Sequence, residues 1–140
     1  MYRFKPIIAA LGLTFGVAGC ATVGANFSNG VLTDQAGMTL YTFDKDMANS
    51  GKSMCNGPCA ANWPPFAAHS DDRAAGVWST VTRDDGSRKW AYKGKPVYRW
   101  IKDHKPGDKT GNDFNHVWHV VKQDVQVSRV KDDWPRNDAY

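Results

Sequence analysis

A chain of 140 residues with a formal charge of +4 is long enough for one small globular domain behind a short leader. Its 18 basic residues are interspersed with 14 acidic ones, as in Lys102-Asp103-His104-Lys105. The one-sided basic stripe that nucleic-acid binding requires is missing, so no nucleic-acid partner is expected.

The chain opens Met1-Tyr2-Arg3-Phe4-Lys5 and has no acidic residue before Asp34. An apolar run follows from Pro6 to Ala18, which is shorter than the roughly 20 residues needed to span a bilayer. A charged start and a short apolar stretch describe an export signal, assigned to residues 1–19. The run ends Val17-Ala18-Gly19-Cys20, which resembles the lipobox of bacterial lipoproteins. The resemblance implies cleavage before Cys20, acylation of its thiol and a membrane partner through that anchor. With Ala21 next rather than Asp, it also implies the outer membrane, facing periplasm or surface, if the organism is Gram-negative. Removing Arg3 and Lys5 with the signal lowers the charge from +4 to +2. Residues 20–29 are small and polar and are expected to form a lipid-anchored tether.

Beyond the tether the expected elements are strands. Val31-Leu32 pairs with Leu40-Tyr41-Thr42-Phe43 across a turn at Asp34–Gly37, and the second of these places Tyr41 and Phe43 on one face. Cys55 and Cys59 form an even pair in an exported chain, which points to a disulfide stabilising by roughly 2 kcal/mol. Gly57 and Pro58 between them suit a tight loop rather than a helix. Asp85-Gly86 joins strands at residues 77–83 and 88–92, Lys93-Gly94-Lys95 turns the chain into Val97-Tyr98, and a last strand spans residues 117–121. No helical period persists for three turns after the signal. The expected fold is all-β, a small antiparallel meander or barrel-like domain with no long helix. Residues 122–140 read as a polar C-terminal tail, with an edge strand at residues 125–130.

The chain also repeats itself. Gly37-Met-Thr-Leu-Tyr41-Thr-Phe43-Asp-Lys-Asp46 matches Gly94-Lys-Pro-Val-Tyr98-Arg-Trp100-Ile-Lys-Asp103 at an offset of 57. Trp63 follows Tyr41 by 22 residues and Trp118 follows Tyr98 by 20. Two copies imply one pseudo-symmetric domain over residues 30–121, with repeats at 30–66 and 88–121. The doubled Tyr-x-(Phe/Trp)-x-x-Asp, behind a lipobox, resembles the secreted-repeat lipoproteins described by a Yx(FWY)xxD motif. The cysteine loop before Asn62-Trp63-Pro64-Pro65 and the Trp90–Tyr98 run share that likeness. The resemblance implies an envelope address and a motif, Tyr41, Phe43, Asp46, Tyr98, Trp100 and Asp103, but no reaction.

The four motif aromatics are expected in the core, and the motif aspartates at Asx-turns capping backbone N–H groups. The sharper alternative for Asp46 and Asp103 is calcium ligation helped by Asp44, Asp108 or Asp113, although no glutamate is present to close an EF-hand loop. His104, His116 and His119, with Met47, Met54 and the cysteine loop, suggest a soft, copper-type site or an electron-transfer accessory. On a strand His116 and His119 would face opposite ways, which argues against a shared ion. No nucleophile elbow, phosphate loop or zinc-hydrolase motif is visible, so no catalytic residue is expected. The leading reading is a non-enzymatic envelope lipoprotein that binds an envelope protein or glycan, or is structural, with no cofactor.

Overall fold

The computed structural model describes residues 22–125, so the signal, Cys20 and the chain after residue 125 lie outside the described residues. Among the described residues seven short strands form three antiparallel sheets rather than a closed barrel. β1 (Ala25–Ser28) pairs with β2 (Val31–Asp34), and β3 (Tyr41–Phe43) pairs with β7 (Trp118–Val120). β4 (Trp78–Thr82), β5 (Arg88–Tyr92) and β6 (Lys95–Pro96) make the third sheet. The all-β expectation holds. A simple meander does not, because β3 takes as partner a strand from the far end of the chain. Among the described residues the helical content is one turn, α1 (Pro58–Asn62), and a 3-10 turn at Phe114–His116. No described helix is long and apolar enough to cross a membrane.

The hairpins follow from their turn residues. Asn29-Gly30 and Lys93-Gly94 each put two successive residues at positive φ (49° and 77°, 48° and 79°), as a two-residue turn between right-twisted strands demands. Asp85-Gly86 reverses β4 into β5 as its dipeptide predicts.

Three boundaries differ from the sequence reading. Ala25–Ser28, expected in the tether, is β1, because Asn29-Gly30 folds it back on β2. At the other end Lys122 bridges Val31 and the Gln123 N–H donates to Gly30 O (2.9 Å), so the tail begins attached. The Gly57-Pro58 loop opens α1, since a proline at a helix start needs no amide partner.

Hydrogen bonds place the repeat boundaries. Leu32 N donates to Val121 O and Leu40 N to Leu32 O; in the second half Trp90 N donates to Phe66 O and Val97 N to Trp90 O. The equivalences make β1 and β2 the counterparts of β4 and β5. Each repeat therefore starts one strand earlier than residues 30 and 88.

The repeats interlock. β3, from the first, pairs with β7, from the second, while residues 98–101 of the second lie against residues 62–65 of the first through Arg99 N to Pro64 O and Ile101 N to Asn62 O. Where the two motif strands meet, Tyr41 N donates to Tyr98 O (2.8 Å) and Tyr98 N to Tyr41 O (2.9 Å). This reciprocal pair marks the pseudo-two-fold centre.

The motif glycines are required on two counts. Gly37 and Gly94 sit at φ +80° and +79°, and each carbonyl accepts an N–H from the loop after the opposite repeat's aspartate, Gly107 and Asn49 respectively. A Cβ on Gly94 would lie 2.8 Å from Asn49 N, whereas one on Gly86, also at positive φ (+81°), meets nothing within 4 Å. Gly86→Ala should thus cost only the backbone strain, about 1 kcal/mol. Gly94→Ala should cost at least about 2 kcal/mol more, read from urea unfolding midpoints at unchanged slope.

Candidate functional site

The chain's chemistry-bearing residues converge on the pseudo-two-fold centre. Alternation along β3 buries Tyr41 and Phe43, and the second copy buries Tyr98 and Trp100 in the same way. Both tyrosine hydroxyls then cross to the opposite repeat. Tyr41 donates to Asp103 Oδ2 (2.6 Å), and Tyr98 donates to Asp46 Oδ2 (2.5 Å). Each carboxylate is oriented by its own loop: Asp46 Oδ1 accepts Met54 N–H (2.6 Å), and Asp103 Oδ1 accepts Thr110 N–H (3.0 Å) and Oγ1–H (2.6 Å). Backbone capping was expected of these aspartates; the tyrosine across the domain was not.

Burial, reinforced by the accepting carboxylate, raises the pKa of both phenols well above the usual tyrosine range. They remain neutral donors at any physiological pH. Buried O–H···O⁻ bonds of this length are charge-assisted and hold the interior in one arrangement.

Trp63 and Trp118, the second landmark of each repeat, stack face to face at 3.8 Å and 3°. Phe43 stacks on Trp118 (4.2 Å) and Trp100 on Trp63 (4.0 Å), giving a continuous four-ring column that alternates between repeats at its ends. Tyr41 and Tyr98 meet the column edge-on, at 5.3 Å from Trp63 and 5.1 Å from Trp118. Such pairs contribute roughly 0.5–1.5 kcal/mol each beyond burial. The expected aromatic core is therefore present, and its tryptophans face one another rather than solvent. The Cys55–Cys59 disulfide is formed, with Cα atoms 5.2 Å apart, and staples α1, whose Cys59 O accepts the Trp63 N–H.

One departure from symmetry went unanticipated. Lys89 on β5 is completely buried, with its Nζ 3.1 Å above the Tyr98 ring centroid and 3.4 Å from Ser53 Oγ. Ser53 Oγ in turn meets Tyr98 Oη at 2.7 Å, where the other repeat has the Gly111 N–H at 3.3 Å from Tyr41 Oη. Loss of hydration pushes the Lys89 ammonium down to about 6, against the opposing pull of nearby Asp46. No sequence signal marks this lysine, because three consecutive residues of β5, Lys89 to Ala91, are all buried and period two is lost.

The suggested metal ligands are dispersed. His119 Nε2 meets Asp44 at 2.9 Å, His116 Nδ1 meets Asp113 at 3.2 Å, and the His104 N–H donates to Asp108. Asp44, Asp108 and Asp113 thus each hold a contact of their own with one of these histidines. Met47 and Met54 point outward, 76% and 60% exposed, and both cysteines are consumed by their bridge. Among the described residues no three His, Cys, Asp or Glu side chains converge on a position that could hold a metal ion.

An exported two-repeat β-domain, locked by a doubled tyrosine–aspartate motif, is the class of protein these observations define. The chain belongs to the family described as a secreted repeat of unknown function, whose model matches residues 26–67 and 79–122. Those segments coincide with the strand-based repeats above. No curated protein and no solved structure matches the chain.

Two outcomes test the centre. Tyr98→Phe should cost about 2–3 kcal/mol by stranding a buried carboxylate oxygen, and Tyr41→Phe a similar amount. A double mutant with Asp46→Asn should show strong non-additivity with Tyr98→Phe in denaturant titrations and little with Tyr41→Phe. The second outcome concerns pH. Lys89 binds its proton in the unfolded chain up to about pH 10.4 but in the folded chain only below about 6. The penalty is complete below pH 6 and is relieved as pH rises. Stability should therefore climb from pH 6 to 9, by at most about 1.4 kcal/mol per unit. Lys89→Met should flatten that slope, as read from melting temperatures across the range.

Proposed function

We propose that the chain is a lipid-anchored cell-envelope protein, held through acylated Cys20 at the outer membrane if its cell is Gram-negative, and that it serves as a non-enzymatic binding or structural module. The observation that carries the module reading is the crossed Tyr–Asp pair: the motif's polar groups are spent on one another, inside the domain. Residues whose hydroxyls and carboxylates are buried and mutually saturated give rigidity, and rigidity is what a scaffold or docking module requires.

The anchoring reading rests on Val17-Ala18-Gly19-Cys20 and on the short distance that follows. β1 begins five residues after Cys20, and such a linker spans at most roughly 17 Å. The domain would therefore ride against the membrane surface, with its β1–β2 end closest to the lipid.

The test is metabolic labelling with a palmitate analogue followed by membrane fractionation. The wild-type chain should carry the label and sediment with outer-membrane vesicles, whereas Cys20→Ala should accumulate as an unlabelled precursor. Label retained on Cys20→Ala would overturn the anchor. Turnover of an envelope substrate by the purified mature chain would overturn the non-enzymatic reading.

A further inference from the structure

Indoles and phenols are the side-chain rings that give up an electron most readily, and in this domain they lie in contact. Trp118, Trp63 and Trp100 stack in series at 3.8 and 4.0 Å, and Tyr41 meets Trp63 edge-on at 5.3 Å. Phe43 closes one end of the column with a ring that resists oxidation, so the oxidisable run ends at Trp100. There the column reaches the surface. A cavity of about 290 Å³ is lined by Trp100 together with Met38, Pro64, Arg99, Ile101 and Asp103.

A phenol that loses an electron becomes a strong acid, so its proton must have somewhere to go. Tyr41 already directs its O–H at Asp103 Oδ2 (2.6 Å), with both residues buried. Moving that proton as the electron leaves converts a buried carboxylate and a phenol into a neutral carboxyl and a neutral phenoxyl radical. The interior loses a charge, so the burial that opposes most ionisations favours this oxidation. The heavy atoms can stay in place: the Gly111 N–H remains 3.3 Å from the phenol oxygen, and Thr110 still holds Asp103 Oδ1.

Tyr98 differs in each respect. Its ring meets Trp118, which is separated from Trp100 by Trp63. Its hydroxyl oxygen is shared with Ser53 (2.7 Å), and the Lys89 amine lies over its ring. The two halves of the exchange are thus alike as structure and unlike as electron donors.

We propose that Tyr41 is a redox-active tyrosine that passes one electron through Trp63 and Trp100 to a peroxyl radical in the surface cavity, while its proton moves to Asp103. In the protein the phenolic O–H bond breaks and a carboxyl O–H bond forms. The peroxyl radical takes the electron and, with a proton from water, becomes a hydroperoxide and leaves hydroxide. The domain thereby intercepts a one-electron oxidant at its surface and holds the unpaired electron on a shielded ring. A single equivalent is consumed without turnover, so the non-enzymatic reading is untouched, and nothing in the step depends on Cys20.

The test exposes the mature chain in detergent to peroxyl radicals from a water-soluble azo initiator and records electron paramagnetic resonance after freezing. A persistent tyrosyl signal is expected. It should narrow in protein made with ring-deuterated tyrosine and not with ring-deuterated tryptophan, a readout that leaves the fold unaltered. Tyr41→Phe should abolish the signal. Tyr98→Phe should keep it, although it removes the equivalent bond and costs similar stability. Asp103→Asn, which cannot take the proton, should move the signal from tyrosine to tryptophan. Should Asp103→Asn fail to fold, slower formation of the wild-type signal in heavy water reports the same proton step. Absence of a persistent tyrosyl signal, its equal loss in both tyrosine variants, or its survival in Tyr41→Phe overturns the proposal. Trp100→Phe should delay the signal, and an unchanged rise would overturn the route through the column.

Discussion

The domain depends on one exchange: each repeat supplies the tyrosine that satisfies the other repeat's buried aspartate. A single copy cannot close this arrangement. Without Tyr98, Asp46 would sit in the interior with only the Met54 N–H to meet it, and Asp103 without Tyr41 would keep donors from Thr110 on one oxygen alone. Leaving a buried carboxylate short of a donor costs more than a complete bond gains, so the half-formed state is penalised. The reciprocal Tyr41–Tyr98 backbone bonds and the crossed strand pairings point the same way. They make the pair of repeats, rather than the single repeat, the unit that folds.

The aromatic column follows from that exchange. With the two motif strands brought together backbone to backbone, the landmark tryptophans have one common space to fill, and Trp63 and Trp118 stack across the centre. Phe43 and Trp100 then cap opposite ends, each against the other repeat's tryptophan. Symmetry is broken at Lys89, whose amine lies over the Tyr98 ring while the equivalent tyrosine has no such neighbour among the described contacts. The first repeat adds the disulfide that positions Trp63. The second achieves its tryptophan placement with the Phe114–His116 turn instead. The repeat has thus retained its lock and varied its surroundings.

How much of this was legible in the sequence depended on the range of the interaction. Asn29-Gly30 apart, hairpin turns declared themselves through dipeptides, because local φ requirements are met by few residue types. The buried aromatics declared themselves through period two. The pairing of β3 with β7 did not, since a strand's sequence carries its face but not its distant partner. The offset of 57 revealed two copies without revealing that they exchange side chains. Sequence read Asp46 and Asp103 as backbone caps or calcium ligands, whereas their tyrosine partners lie 52 and 62 residues away. Lys89 was invisible for the opposite reason: in a strand buried on both faces, a lysine looks like any solvated cation. His116 and His119, read together from the sequence, each meet an aspartate instead, Asp113 and Asp44.

A symmetric lock also explains where specificity can reside. Positions inside the exchange are bound by two copies of the same geometry, so altering one strands its partner. Positions on the flanks carry no such constraint. The two equivalent cavities illustrate this, one lined by Asp34, Asp72 and Arg99, the other by lysines and Tyr92. Both repeats of this chain therefore keep Tyr-x-(Phe/Trp)-x-x-Asp while the chemistry that distinguishes them sits beside the motif. The signature reports how the domain is held together, while the charges beside it differ between the two halves.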